Sequence, residues 1–143
     1  MSSVCLLYTS ITCDGWVPGP DTTASPLNGG HTGARACLVC GHSISKEIKV
    51  TPFDAGVLQA SAYLRAPEQD GATAVGITLI AFDAVSNGVG SQATSYSVST
   101  TAWGPAQIVA PTSAGAERIV LTIRVDAPPV GCVLVDDVVL LFE

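Results

Sequence analysis

Asp136 and Asp137 stand side by side in a run that is otherwise almost wholly apolar: Gly131-Cys132-Val133-Leu134-Val135-Asp136-Asp137-Val138-Val139-Leu140-Leu141-Phe142-Glu143. A β-branched run of this kind reads as a strand buried on both faces. Side chains alternate along a strand, so the two acids are expected on opposite faces, with at least one of them in the core. A buried carboxylate without a partner is strongly destabilising or stays protonated. A cation, a set of backbone N–H groups or a local opening of the sheet must answer that charge. Acids that point apart on one strand cannot flank a glycosidic bond, so the pair does not read as a hydrolytic dyad.

The second chemical cluster is Cys37-Leu38-Val39-Cys40-Gly41-His42. Its spacing invites a zinc or redox reading. In a strand over residues 34–40, however, Cys37 and Cys40 point to opposite faces, and no second Cys-x-x-Cys completes a set of four ligands. Buried structural thiols are the expectation. The chain has 5 cysteines, an odd number that cannot all pair internally. The N-terminus also lacks the basic segment and longer apolar segment of a secretory signal. Free thiols in a reducing cytosol follow from these two points. His31 and His42 flank the strand in loops, as solvated or capping residues. No Gly-x-Ser-x-Gly elbow, His-Glu-x-x-His or phosphate-cradling loop occurs, so the chain reads as non-enzymatic.

Composition narrows the classes further. A chain of 143 residues fits one domain. Hydrophobic residues make up 48% and charged residues 13%, which points to surface buried against a partner. No apolar run is long enough to span a membrane. The net charge of −6, with 6 scattered basic residues, excludes nucleic-acid binding by phosphate neutralisation.

The elements that must position these residues are strands. Patterning predicts them over 4–12, 34–40, 44–51, 57–66, 73–83, 93–101, 103–110, 117–125 and 131–143. Between the first two lies a Gly- and Pro-rich stretch, 14–33, expected as a long loop that contacts something. Alternation is clean over 57–66, where Leu58, Ala60, Ala62 and Leu64 oppose Gln59, Ser61, Tyr63 and Arg65. It recurs over 117–125, with Ile119, Leu121, Ile123 and Val125 on one face. The expected architecture is all-β, a single-domain jelly-roll β-sandwich of about nine strands. Residues 1–13 form an N-terminal arm or first strand, and 14–143 the sandwich domain.

The order of landmarks carries a resemblance. Asp14-Gly15-Trp16 is followed by Gly33-Ala34-Arg35-Ala36, Gly56, Ser61-Ala62-Tyr63-Leu64-Arg65-Ala66, Thr101-Ala102-Trp103, Ile108-Val109-Ala110-Pro111 and Val135-Asp136-Asp137-Val138. This series resembles the jelly-roll carbohydrate-binding modules attached to cellulases and xylanases, over roughly residues 14–141. The resemblance implies a structural calcium between the first and last strands, with Asp136 or Asp137 as ligand. The chain departs from that pattern, because residues 4–13 contain no acid. It also implies a sugar groove lined by aromatic faces and fixed polar groups. Trp16 and Trp103 fall at fold positions of such modules, and Phe82 and Phe142 lie in apolar strands, which leaves Tyr8, Phe53, Tyr63 and Tyr96; of these, Tyr63 shares the polar face of its strand with Gln59 and Arg65, a binding-face trio.

Two functions are expected from these features. The first is a structural one, a virion decoration (cement) protein docked on a capsid shell. Its partners would be the major capsid protein and neighbouring copies of itself. Contacts would come from Val4, Leu6, Tyr8 and Ile11 of the arm and Leu27 of the loop, on a capsid surface assembled in the host cytoplasm. The alternative is a secreted carbohydrate-binding module recognising polysaccharide, free-standing or part of a larger enzyme.

Overall fold

The computed structural model describes residues 5–10, 15–28, 35–50, 52, 54–127 and 131–143. In chain order the strands are β1 (Cys5–Ser10), β2 (Val17–Pro18), β3 (Thr23–Asn28), β4 (Arg35–Gly41), β5 (Ser43–Lys49) and β6 (Gly56–Arg65). They continue as β7 (Ala74–Phe82), β8 (Gly88–Ser97), β9 (Gly104–Thr112), β10 (Arg118–Ala127) and β11 (Gly131–Phe142). No helix occurs among the described residues.

Alternation builds both sheets. In β6, Leu58, Ala60, Ala62 and Leu64 are buried, and Gln59, Ser61, Tyr63 and Arg65 are only partly so. In β10, Ile119, Leu121 and Ile123 are at most 1% exposed, and Arg118, Val120, Thr122 and Arg124 lie on the other face. Two such half-apolar sheets bury their inner faces only against each other, which gives a sandwich. One sheet has six strands in the order β3-β4-β11-β6-β9, with β1 also paired to β11; the other has five, β2-β5-β10-β7-β8. All strand pairings are antiparallel. This is the expected all-β jelly-roll sandwich.

β11 is the spine of the larger sheet. Gly131 to Val135 pair with β4, Val138 to Phe142 pair with β1, and β6 runs along the opposite side. β1 is therefore a member of the larger sheet.

Three expectations are corrected here. The stretch 14–33 is not all loop, because it holds β2 and β3. Pro26 hides β3 in the sequence, since a proline cannot donate to a ladder; at the sheet edge, with only β4 as neighbour, that donor is not needed. The strand expected from 93 begins at Gly88. Gly90, inside this strand, lies where β9 passes so close that a Cβ would stand 2.7 Å from Thr112 Oγ1 and 2.8 Å from the Pro111 carbonyl oxygen.

The third correction concerns thiols. Cys40 and Cys132 face each other in the β4–β11 ladder and form a disulfide with a Cα–Cα distance of 4.1 Å. Cys37 is disulfide-bonded as well. Counting cysteines cannot show which pairs the sheet brings into register, and these two are 92 residues apart. Cys37 and Cys40 do sit on opposite faces, Cys37 in the core and Cys40 partly exposed.

Candidate functional site

The outward face of the six-stranded sheet gathers a set of residues with binding chemistry. From β6 it receives Gln59, Ser61, Tyr63 and Arg65 by simple alternation. Directly opposite residues of an antiparallel pair share a face, so their partners belong to the same surface. On β11, Asp136 opposes Tyr63 and Leu134 opposes Arg65. On β9, Pro105 opposes Tyr63, Gln107 opposes Ser61 and Val109 opposes Gln59, all three exposed. Leu38 of β4 lies opposite Leu134, and the Cys40–Cys132 disulfide continues that row. Beside the disulfide opens a cavity of about 300 Å³ lined by Asp21, Cys40, Gly41, Asp70, Gly131 and Cys132.

The expected trio is thus brought together, on one strand and one face. Tyr63 stands between Asp136 and Pro105 and is partly buried. The Arg65 Nε donates to the Thr100 carbonyl oxygen at 3.2 Å. That carbonyl belongs to a segment held in place locally. The Ala66 N–H donates to the Ser99 carbonyl oxygen at 2.8 Å, and the Thr101 N–H donates to Ser99 Oγ at 3.1 Å.

The two acids do not alternate as expected. Pairing slips between Asp136 and Val139, where β11 carries one residue more than β6 between Tyr63 and Ser61. Such a bulge resets the side-chain parity. Val133 and Val135 face the core before it, and Val138 and Leu140 after it, so both acids fall between core-facing residues, and Asp136, opposite Tyr63, shares the outward face. Asp136 is nonetheless only 1% exposed. Its Oδ1 accepts the Asp137 N–H at 2.8 Å. Asp137 has a φ of 51°, the left-handed conformation that a bulge can demand. Among the described residues, no buried side-chain nitrogen or oxygen lacks a hydrogen-bond partner. The local opening of the sheet and a backbone N–H therefore take part in answering the buried charge.

Calcium favours six to eight oxygen ligands. Among the described residues, no three His, Cys, Asp or Glu side chains come together in a way that could hold a metal. β1 does run beside the bulge, with Ser10 opposite Val138, as the resemblance implies for the first and last strands.

Of the expected partner-contact residues, Val4 and Ile11 lie outside the described residues. Leu6 pairs with Leu141 and Tyr8 with Leu140 in the β1–β11 ladder, and Leu27 pairs with Ala36 on edge strand β3. They are spread over two strands that flank different parts of the sheet. His42 is exposed and its backbone N–H donates to Thr22 Oγ1 at 2.9 Å; His31 lies outside the described residues.

Sequence patterning missed Trp103, Gln107 and Leu134. Trp103 is partly exposed immediately before β9, one residue ahead of Gly104, which pairs with Leu64. Its odd-numbered parity with Pro105, Gln107 and Val109 was visible in the sequence. That β9 is the strand beside β6 was not. The assembled face offers a stacking surface for a pyranose ring, amide and guanidinium groups for hydroxyls, and an apolar floor between them.

No protein-family model matches the sequence, and no curated protein sequence does. Solved structures do match. The xylan-binding CBM22-1 domain of Paenibacillus barcinonensis Xyn10C superposes with a TM-score of 0.75 at 13% identity, covering 99% of this chain and 97% of that one. The Clostridium thermocellum Xyn10B CBM22-1–GH10 modules, complexed with xylohexaose, give 0.72 at 15% identity over 96% of this chain and 28% of theirs. TmCBM61, in complex with β-1,4-galactotriose, gives 0.61 at 16% identity over 92% and 91%. At these identities the likeness is one of fold: this chain has the jelly-roll sandwich found in carbohydrate-binding modules.

Proposed function

We propose that this chain is a non-catalytic module that binds a polysaccharide along the outward face of its six-stranded sheet. The observation that carries the reading is the position of Tyr63, a partly exposed aromatic residue on the outward sheet face between Asp136 and the exposed Pro105, with Gln59 and Arg65 on either side along the same strand. Rings stack on the apolar faces of sugars, and flanking polar groups fix their hydroxyls. The fold shared with xylan- and galactan-oligosaccharide-binding structures supports it. The role on a virion rested partly on free thiols suited to cytosolic assembly. The Cys40–Cys132 disulfide removes that support, because such bonds persist chiefly in oxidising compartments. A secreted setting accords with the polysaccharide reading.

Affinity electrophoresis and calorimetry against soluble xylan, β-glucan and galactan test the proposal. Binding to at least one polymer, weakened tenfold or more by Tyr63→Ala with the unfolding midpoint preserved, is the expected result. Binding that Tyr63→Ala leaves untouched moves the site elsewhere, and no binding to any polymer overturns the proposal.

A further inference from the structure

Three arginines have described side chains, and they divide sharply. Arg118 lies 3.8 Å from the Glu47 carboxylate, with its guanidinium 4.4 Å from the centroid of the Phe82 ring. The Arg124 Nε donates to Asp126 Oδ1 at 2.9 Å. Arg65 forms no ion pair among the described residues, although the chain carries 12 acids against 6 basic residues. Its one side-chain hydrogen bond sends Nε to the Thr100 carbonyl oxygen. That contact uses the inner N–H of the guanidinium and leaves the two terminal nitrogens, with four N–H donors, uncommitted. The nearest acid on the same face, Asp136, is a diagonal neighbour opposite Tyr63 and not Arg65.

An arginine held through Nε is a pre-set fork. Its remaining donors match a carboxylate bidentately, and because the side chain is already oriented, less freedom is lost on binding. Hydroxyls alone would be served as well by the carboxamides of Gln59 and Gln107 on this face. We infer that the glycan bound here carries carboxylates, a uronic-acid-bearing polysaccharide, and that Arg65 is the residue that selects it. This rests on the polysaccharide reading and narrows it. The overall charge of −6 does not forbid such a ligand, since at about 0.1 M salt charges more than roughly 10 Å apart are largely screened and the local pair dominates.

The test compares each of three acidic polymers (glucuronoxylan, polygalacturonate and alginate) with its own carboxyl-reduced form, in which the acid becomes a primary alcohol and the backbone is unchanged. The expected result is that reduction weakens binding tenfold or more for the recognised polymer. Arg65→Gln should lower affinity for the acidic form at least fivefold more than for the reduced form, and Arg65→Lys should restore part of the difference. Affinity for the acidic form should fall with rising salt, and for the reduced form it should not. Equal affinity for acidic and reduced polymers overturns this inference and leaves polysaccharide binding standing. No binding to any polymer, acidic or neutral, overturns both.

Discussion

Asp136 and Tyr63 face each other across the β11–β6 ladder in the last regular pair before that ladder slips by a residue. The buried acid that closes the bulge and the aromatic ring of the binding face are thus cross-strand neighbours. Support for one is support for the other, and the geometry that solves a buried-charge problem also positions the proposed site.

Asp136→Ala removes the acceptor of the Asp137 N–H and leaves a gap at a position 1% exposed. Losing a buried partner of this kind costs about 1–3 kcal/mol. Urea unfolding should show a lower midpoint with an unchanged slope, and Asp136→Asn, which keeps an acceptor oxygen, should lose less. A stability equal to that of the parent protein would mean that the carboxylate does not hold the bulge.

The Cys40–Cys132 bond closes a loop with a sequence separation of 92. For a loop of this length the chain-entropy estimate is about 4.6 kcal/mol. Replacing both cysteines by serine should reduce the unfolding free energy by about that amount. It should also loosen the β4–β11 side of the face, where the disulfide adjoins Leu38 and Leu134. Mass spectrometry of the unreduced parent should find the Cys40–Cys132 linkage; finding both thiols free would contradict the structure.

Tyr96 on β8 joins the edges of the two sheets. Its hydroxyl accepts the Gln107 N–H at 3.0 Å and donates to the Gln107 carbonyl oxygen. Those are backbone groups of edge strand β9, which would otherwise face open solvent or another strand. Tyr96→Phe should cost about 1 kcal/mol and speed hydrogen exchange at Gln107 more than at residues in the middle of β6. Unchanged exchange at Gln107 would assign its protection to something else.

On the opposite face of the sandwich, Gly76 leaves room for a polar cluster. A Cβ there would stand 2.6 Å from Arg124 Cζ and from Asp126 Oδ2. Ser95 Oγ donates to Asp126 Oδ2 at 2.8 Å, and Arg124 also reaches Thr78 Oγ1. Gly76→Ala should therefore destabilise by about 1–3 kcal/mol through displacement of Arg124, despite the better strand propensity of alanine. Combining it with Arg124→Ala should recover part of the loss, and a fully additive double mutant would refute the steric account.

The all-β class, the single sandwich and the facing of β6 and β10 were legible in the amino-acid order. Alternation is a local property, and every second residue must be apolar wherever one face of a sheet is buried. For the same reason Gln59, Tyr63 and Arg65 could be placed on one surface before any fold was known. Pairing between distant strands is not local, and each feature that departed from expectation depends on it. The fates of Asp136 and Asp137 turn on a one-residue slip against β6, which strict alternation along one strand does not contain. Cys40 and Cys132 bond because the β4–β11 register sets them opposite each other, a fact no cysteine count contains. β3 tolerates Pro26 because it has a neighbour on one side only. Gln107 and Leu134 join the site through β9 and β11. The amino-acid order thus settled which side of its own strand each residue occupies. Tertiary structure alone decided which strands lie side by side, because register is set by the assembled sheet and not by any segment within it.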